Sequence, residues 1–176
     1  MIRAGSQLTF CSPDDIRRRT VVEINETKTI TRIFSLDEGN AEPAQTLFFD
    51  GILSAEIVSL KQNAGQFISG VLKESMYLDL SEGLYSNMKR QKNKQLIIDF
   101  GTNSPEKINN LLPHVIPFLK EFSILEIIAA TTYYPSILLG CQAGLKENFT
   151  TGIILWENVD MTKMSLLFNT HIREIS

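Results

Sequence analysis

Histidine and cysteine, the side chains that most often bind transition metals or serve as catalytic bases and nucleophiles, are scarce in this sequence, with two of each in 176 residues. Cys11 and Cys141 stand far apart and outside any Cys-x-x-Cys arrangement, so they read as reduced, partly buried side chains and not as a disulfide framework. A nucleophilic cysteine needs a nearby base and an electropositive setting, and neither residue has one locally. His114 lies between prolines in a helical region and His171 in a terminal strand segment. Two distant histidines make no zinc site, since a catalytic zinc commonly takes three protein ligands plus water. Asp99, Glu56 and Asp160 would join them only through the tertiary fold.

An excess of positive charge is also missing. Seventeen basic against twenty acidic residues give a formal charge of -3, which argues against nucleic acid and anionic membrane surfaces as partners. The cluster Lys89-Arg90, Lys92 and Lys94 reads as a solvated helix end or loop. No apolar run approaches the ~20 residues of a membrane helix, because Glu126 interrupts the best candidate at residues 124–130. The first seven residues lack the apolar core of a signal peptide, so the expected location is cytoplasmic, with Asn25 and Asn148 unglycosylated. There is no P-loop, dinucleotide fingerprint or Gly-x-Ser-x-Gly elbow. Asp99-Phe100-Gly101 lacks the glycine-rich loop and His-Arg-Asp segment that would make it a kinase motif.

The chain does contain apolar material for a substantial core, at 43% hydrophobic and 21% charged residues. Residues 7–11 form a strand candidate ended by Ser12-Pro13-Asp14-Asp15, and residues 20–25 and 29–35 read as a hairpin. Residues 46–60 are compatible with two strands joined at a bend on Gly51. Residues 64–94 read as mixed helix and loop.

Residues 96–100 form a strand apolar enough to be covered on both faces. Ser104-Pro105-Glu106 then announces a helix, with Ile108, Leu111, Leu112, Val115 and Leu119 on its core face and Pro113 and Pro117 predicted to kink or split it. Ser123 and Glu126 match a capping box, and Pro135 restarts a short segment ending at Gly140. Residues 152–156, 166–168 and 171–175 read as closing strands.

Three segments together resemble the metal-dependent amidohydrolase superfamily, particularly its deaminase and chlorohydrolase-like members. Phe49-Asp50-Gly51-Ile52-Leu53 is similar to the family's entry from its N-terminal sheet into the barrel. Gly101-Thr102-Asn103-Ser104, followed by residues 132–140 (Thr-Tyr-Tyr-Pro-Ser-Ile-Leu-Leu-Gly), resembles the late metal-ligand turn and the Thr-x-Asn-Pro-Ala-x-x-Leu-Gly helix. Gly152-Ile153-Ile154-Leu155 through Asn158-Val159-Asp160 to Thr170-His171-Ile172-Arg173 resembles the strands that return to the family's small sandwich.

The resemblance implies terminal strands in a composite sandwich and a metal-bearing barrel between them. A complete barrel takes ~250 residues, and residues 61–140 leave room for one or two of its strands. The family's His-x-His pair is absent after Gly51-Ile52-Leu53, Asn103 stands where the family has an aspartate, and Tyr134 replaces its usual asparagine.

The expected fold is therefore α+β in a single domain, residues 1–176: a small composite β-sandwich from residues 1–60 and 150–176, and a mostly helical barrel remnant over residues 61–149. No catalytic, metal-binding or cofactor-binding residue is assigned and no cofactor is expected. The leading functional reading is a non-catalytic binding, assembly or regulatory module. The alternative is a hydrolase of carbon-nitrogen bonds whose metal site is completed by a partner chain or relocated ligands. An unpaired edge at residues 96–100 predicts a homodimer, with a protein partner as the other candidate.

Overall fold

The computed structural model describes residues 1–38, 45–63, 75–81, 91 and 94–175. Its strands are β1 (Ile2–Ser12), β2 (Asp15–Ile24), β3 (Ile30–Ser35), β4 (Leu47–Ala55), β5 (Met76–Asp79), β6 (Leu96–Asp99), β7 (Ile153–Asp160) and β8 (Ser165–Ile175). The helices are α1 (Leu60–Asn63), α2 (Pro105–Leu119), α3 (Ile124–Ile128) and α4 (Tyr134–Leu138), with a π turn at Ala129–Tyr133 joining the last two. The architecture is mixed α+β. Among the described residues, no helix is long and apolar enough to cross a membrane.

N- and C-terminal strands share one six-stranded sheet in the order β3-β2-β1-β4-β7-β8. All its pairings are antiparallel except β1 with β4. The expected composite of the two termini is present, but as one continuous curled sheet instead of two facing ones. Register shifts in the β1–β2, β1–β4, β2–β3 and β7–β8 pairings add local twist. Residues 148–151 then draw the two edges together. Ile30 N–H donates to Phe149 O at 2.8 Å and Thr151 N–H to Lys28 O at 3.1 Å, while Lys28 reaches across to Glu174 of β8 at 2.5 Å.

The sheet is apolar on both faces, which explains why residues 152–156 read as an unbroken hydrophobic run. Leu53, Ile153 and Leu155 point into the curl with Val22, Ile30 and Ile175. Ile52, Ile154 and Trp156 alternate to the other face and pack with β5, β6 and the helices in the larger core. Residues 46–60 thus form a single strand followed by an extended segment and α1, and not two strands bent at Gly51. At Gly51 φ is 155°, and an added Cβ would lie 2.3 Å from Trp156 O, so glycine lets β4 run on against β7.

The expectation of mixed helix and loop over residues 64–94 is corrected where the structure describes them, because Met76–Asp79 is a strand. Residues 64–74, 82–90 and 92–93, including Lys89, Arg90 and Lys92, lie outside the described residues. β5 pairs with β6 in parallel register.

Helix α2 buries Ile108, Leu112, Val115 and Leu119 as its spacing predicts, with Leu111 partly buried. It runs through Pro113 and Pro117 without splitting. Pro117 is exposed and Pro113 half-buried, so the turns that lose a backbone bond lie toward solvent. Ser104 makes no side-chain cap, contrary to the expected role; Pro105 at the first turn and Glu106 carry the helix start. The same helix covers part of the sheet edge. Asn109 Nδ2 donates to Ile172 O at 2.7 Å, and Ile172 N–H donates to Asn109 Oδ1 at 2.8 Å, so one side chain stands in for a strand neighbour.

The capping box forms as expected, with Glu126 N–H donating to Ser123 Oγ at 3.2 Å and Ser123 N–H to Glu126 Oε2 at 2.8 Å. Pro135 stands in the first turn of the short α4, as expected, and the π turn before it carries the helical run past the missing donor. Proline's lack of an N–H spares the carbonyl of Thr131 one turn earlier, and that carbonyl accepts Val58 N–H at 2.9 Å. This bond ties the segment after β4 to the helices.

Candidate functional site

Asp79 and Asp99 are the last residues of β5 and β6 and stand opposite each other in the parallel register. Ligands and catalytic groups gather at the carboxyl ends of parallel strands, which makes this rim the candidate site.

The Asp99 carboxylate is fully buried. Its Oδ1 accepts the Ser59 hydroxyl at 2.8 Å and Gly101 N–H at 2.7 Å; Oδ2 accepts Lys61 N–H at 2.9 Å and the Tyr77 hydroxyl at 3.1 Å. An ionised carboxylate offers about four acceptor positions, and these four donors fill them. Gly101 makes the turn close, with φ at 70° and any Cβ held 2.4 Å from Ser81 Cβ.

Around this centre lies a second, more open layer. Lys61 Nζ binds Asp79 Oδ2 at 2.6 Å and Ser81 Oγ at 2.8 Å, and Ser81 donates to Asp79 Oδ1 from its hydroxyl at 2.6 Å and its N–H at 3.0 Å. Burial pushes the Asp79 carboxyl up, but the Lys61 and Ser81 hydrogen bonds outweigh it and hold the group below its ordinary value. Asn103 Oδ1 accepts Ser59 N–H at 2.6 Å. Ser59 therefore joins the end of β6 to the turn that follows it, by its hydroxyl to Asp99 and its amide to Asn103.

The other candidates are dispersed. His114 is exposed on α2, while His171 on β8 sits 3.0 Å from the Asn109 amide nitrogen and 3.8 Å from Glu157. Asp160 accepts Thr162 and Lys163 N–H groups and caps the β7–β8 turn. Among the described residues, no three His, Cys, Asp or Glu side chains gather as a metal-binding group. The turn does not fit the divalent metal that the resemblance implies: the lone pairs of Asp99 are committed to protein donors, and Asn103 offers a neutral amide whose oxygen is already bonded.

A cleft of about 520 Å³ opens beside Asn103, between the end of β4 and α4. Glu56, Ser136, Cys141, Gln142 and Thr150 line it. A separate apolar cleft of about 500 Å³ lies at the opposite, N-terminal ends of β5 and β6, between Phe10, Met76, Leu96 and Phe122. Cys11 is buried away from the rim, and burial, reinforced by the Asp15 charge and offset by Arg17, pushes its thiol up to about 11.

Lys61, Tyr77, Asp79 and Ser81 escaped the sequence reading. One signal points to them: Tyr77-Leu78-Asp79-Leu80 and Ile97-Ile98-Asp99-Phe100 share an apolar-Asp-apolar ending, as in-register strands of one parallel sheet would.

Neither known protein-family profiles nor curated proteins match this chain. Among solved structures, the chain aligns with the N-acetyl-D-glucosamine-6-phosphate deacetylase of Mycobacterium smegmatis at 10% identity and a TM-score of 0.27, over 81% of this chain and 38% of that one. A single-substitution variant of that enzyme, in complex with N-acetyl-D-glucosamine-6-phosphate, aligns over 68% of this chain and 30% of that one, also at 10% and 0.27. The present chain thus spans well under half the length of the enzyme it resembles.

Proposed function

We propose that this chain is a non-catalytic, amidohydrolase-like binding or assembly module, a single domain in which the parallel β5–β6 pair and its helices are the remnant of a larger barrel. The observation that carries this reading is the saturation of Asp99. The buried carboxylate of Asp99 spends its acceptor positions joining the segment after β4 to β5 and β6, which is the work of a structural group. Asn103 adds a neutral bond to the same Ser59. A neutral amide suits a site without a cation, because a second carboxylate so near Asp99 would bring like-charge repulsion.

Elemental analysis of the purified chain tests the reading. Less than a tenth of an equivalent of zinc, manganese or iron after dialysis is the expected result; a stoichiometric, tightly held divalent metal overturns it. The alternative, a hydrolase of carbon-nitrogen bonds, draws on Glu56 as a carboxylate in the cleft beside Asn103. It requires zinc-dependent hydrolysis of cyclic amidines or amides by the chain with its partner, and absence of turnover in such a panel removes it.

The assembly part of the proposal concerns β6. Among the described residues its only strand neighbour is β5; its four residues are buried, with the π turn and α3 packed along it, so pairing through this edge requires that cover to shift. A two-fold dimer is the expected state, and sedimentation showing only monomer at micromolar concentration rejects it.

A further inference from the structure

In the cleft beside Asn103, the hydrogen bonds already made determine what each polar side chain has left to offer. Asn103 gives its oxygen to Ser59 N–H, so its remaining group is the amide nitrogen, a donor. Gln142 gives its oxygen to Thr150 N–H at 3.0 Å and is left with a donor in the same way. Ser136 donates to Thr132 O at 2.7 Å. Glu56 is exposed and, among the described residues, has no hydrogen-bond or ion-pair partner. The cation that feels its charge, Lys28, is bound instead to Glu174 at 2.5 Å. The cleft therefore presents one uncommitted carboxylate and two amide donors, against apolar surface from Ala55, Val58 and Leu139.

We propose that this cleft binds a small molecule carrying an ammonium, amidinium or guanidinium group for Glu56 and a carboxylate or carbonyl oxygen for the amide nitrogens of Asn103 and Gln142. The inference rests on the reading of the chain as a binding module. A volume of about 520 Å³ falls within the range of small-ligand sites. Glu56 supplies a charge-assisted bond that selects for positive charge and repels a simple anion. The two amides add orientation without charge, so a ligand with both groups gains over one with the cation alone.

L-Arginine is a probe with both groups, methylguanidinium has the cation alone, and acetate the anion alone. Each is titrated into the full chain, and the side-chain amide resonances of Asn103 and Gln142 are followed by NMR. L-Arginine is expected to shift both resonances saturably, methylguanidinium to bind more weakly, and acetate to leave them unmoved. Glu56→Gln is expected to weaken L-arginine at least about tenfold with an unaltered thermal melt, and Gln142→Ala to weaken it less.

No saturable shift with L-arginine, or equal affinity in Glu56→Gln, overturns the proposal. If the protein is also metal-free, that outcome leaves the module reading standing. Bound stoichiometric metal overturns the underlying reading instead.

Discussion

Asp99 Oδ1 accepts the Ser59 hydroxyl at 2.8 Å, a bond between a buried strand end and the segment that leaves the large sheet. Through it the six-stranded sheet and the β5–β6 pair share one buried polar centre, and the stability of that junction depends on a carboxylate with no capacity to spare.

Replacing Asp99 tests the junction directly. In Asp99→Asn the side chain keeps one acceptor atom and turns an amide nitrogen toward two of the four donors that the carboxylate now satisfies. The expected loss is about 2–4 kcal/mol of unfolding free energy, read by urea denaturation. A loss below about 0.5 kcal/mol would show that the network is not what holds the two sheets together.

Asn103→Asp asks why the amide is there. The new carboxylate would share Ser59 with Asp99, and repulsion would raise its folded-state pKa above the unfolded value. The sign follows: with the folded form binding more protons, stability is intact at low pH and falls as pH rises through the two values. Because position 103 is exposed, solvent screens the repulsion, and the variant should be less stable than the parent near pH 7 by up to about 1 kcal/mol and nearly equal to it in acid. A constant difference across the pH range would refute the charge argument.

The Asp79 carboxyl has the opposite sign. Its folded pKa lies below the ordinary 3.8, so its contribution is present above that value and is lost as pH falls through the lower folded value. Lys61→Met removes the ion pair but keeps the backbone bond from residue 61 to Asp99. The Asp79 titration followed by carboxyl-carbon NMR should move upward in the variant, and an unchanged midpoint would show that Ser81 alone holds it down.

The two cysteines should separate cleanly by reactivity. With the Cys11 thiol pushed up to about 11 by burial, roughly one in a thousand is thiolate at pH 8, whereas Cys141 is exposed. Native thiol titration is expected to count one fast group, Cys141, with Cys11 reacting only after unfolding. Rapid reaction of both would place Cys11 nearer the surface than its burial implies.

Much of the local structure was legible because its signals are local. The Ser123–Glu126 box, the apolar face of α2 and the turn at Pro13-Asp14 each depend on residues a few positions apart. The β5 strand was not legible, since four residues without a long alternating pattern carry little periodic signal. Pro113 and Pro117 do not split α2, and Pro135 opens α4 within a continuous helical run. A proline at a half-exposed turn, or in a π turn whose spared carbonyl finds Val58, costs less than proline in a buried regular helix.

The sequence by itself determined the composition of the site: no His-x-His pair after β4, an amide at position 103, and an aspartate ending each of two short apolar runs. Only the tertiary structure decided what those groups do. Ser59 and Lys61 lie some forty residues before Asp99 in the chain, yet they supply two of its four bonds. Hydrogen-bond saturation depends on distances between segments that only packing brings together, so no local pattern could announce that four donors converge on Asp99.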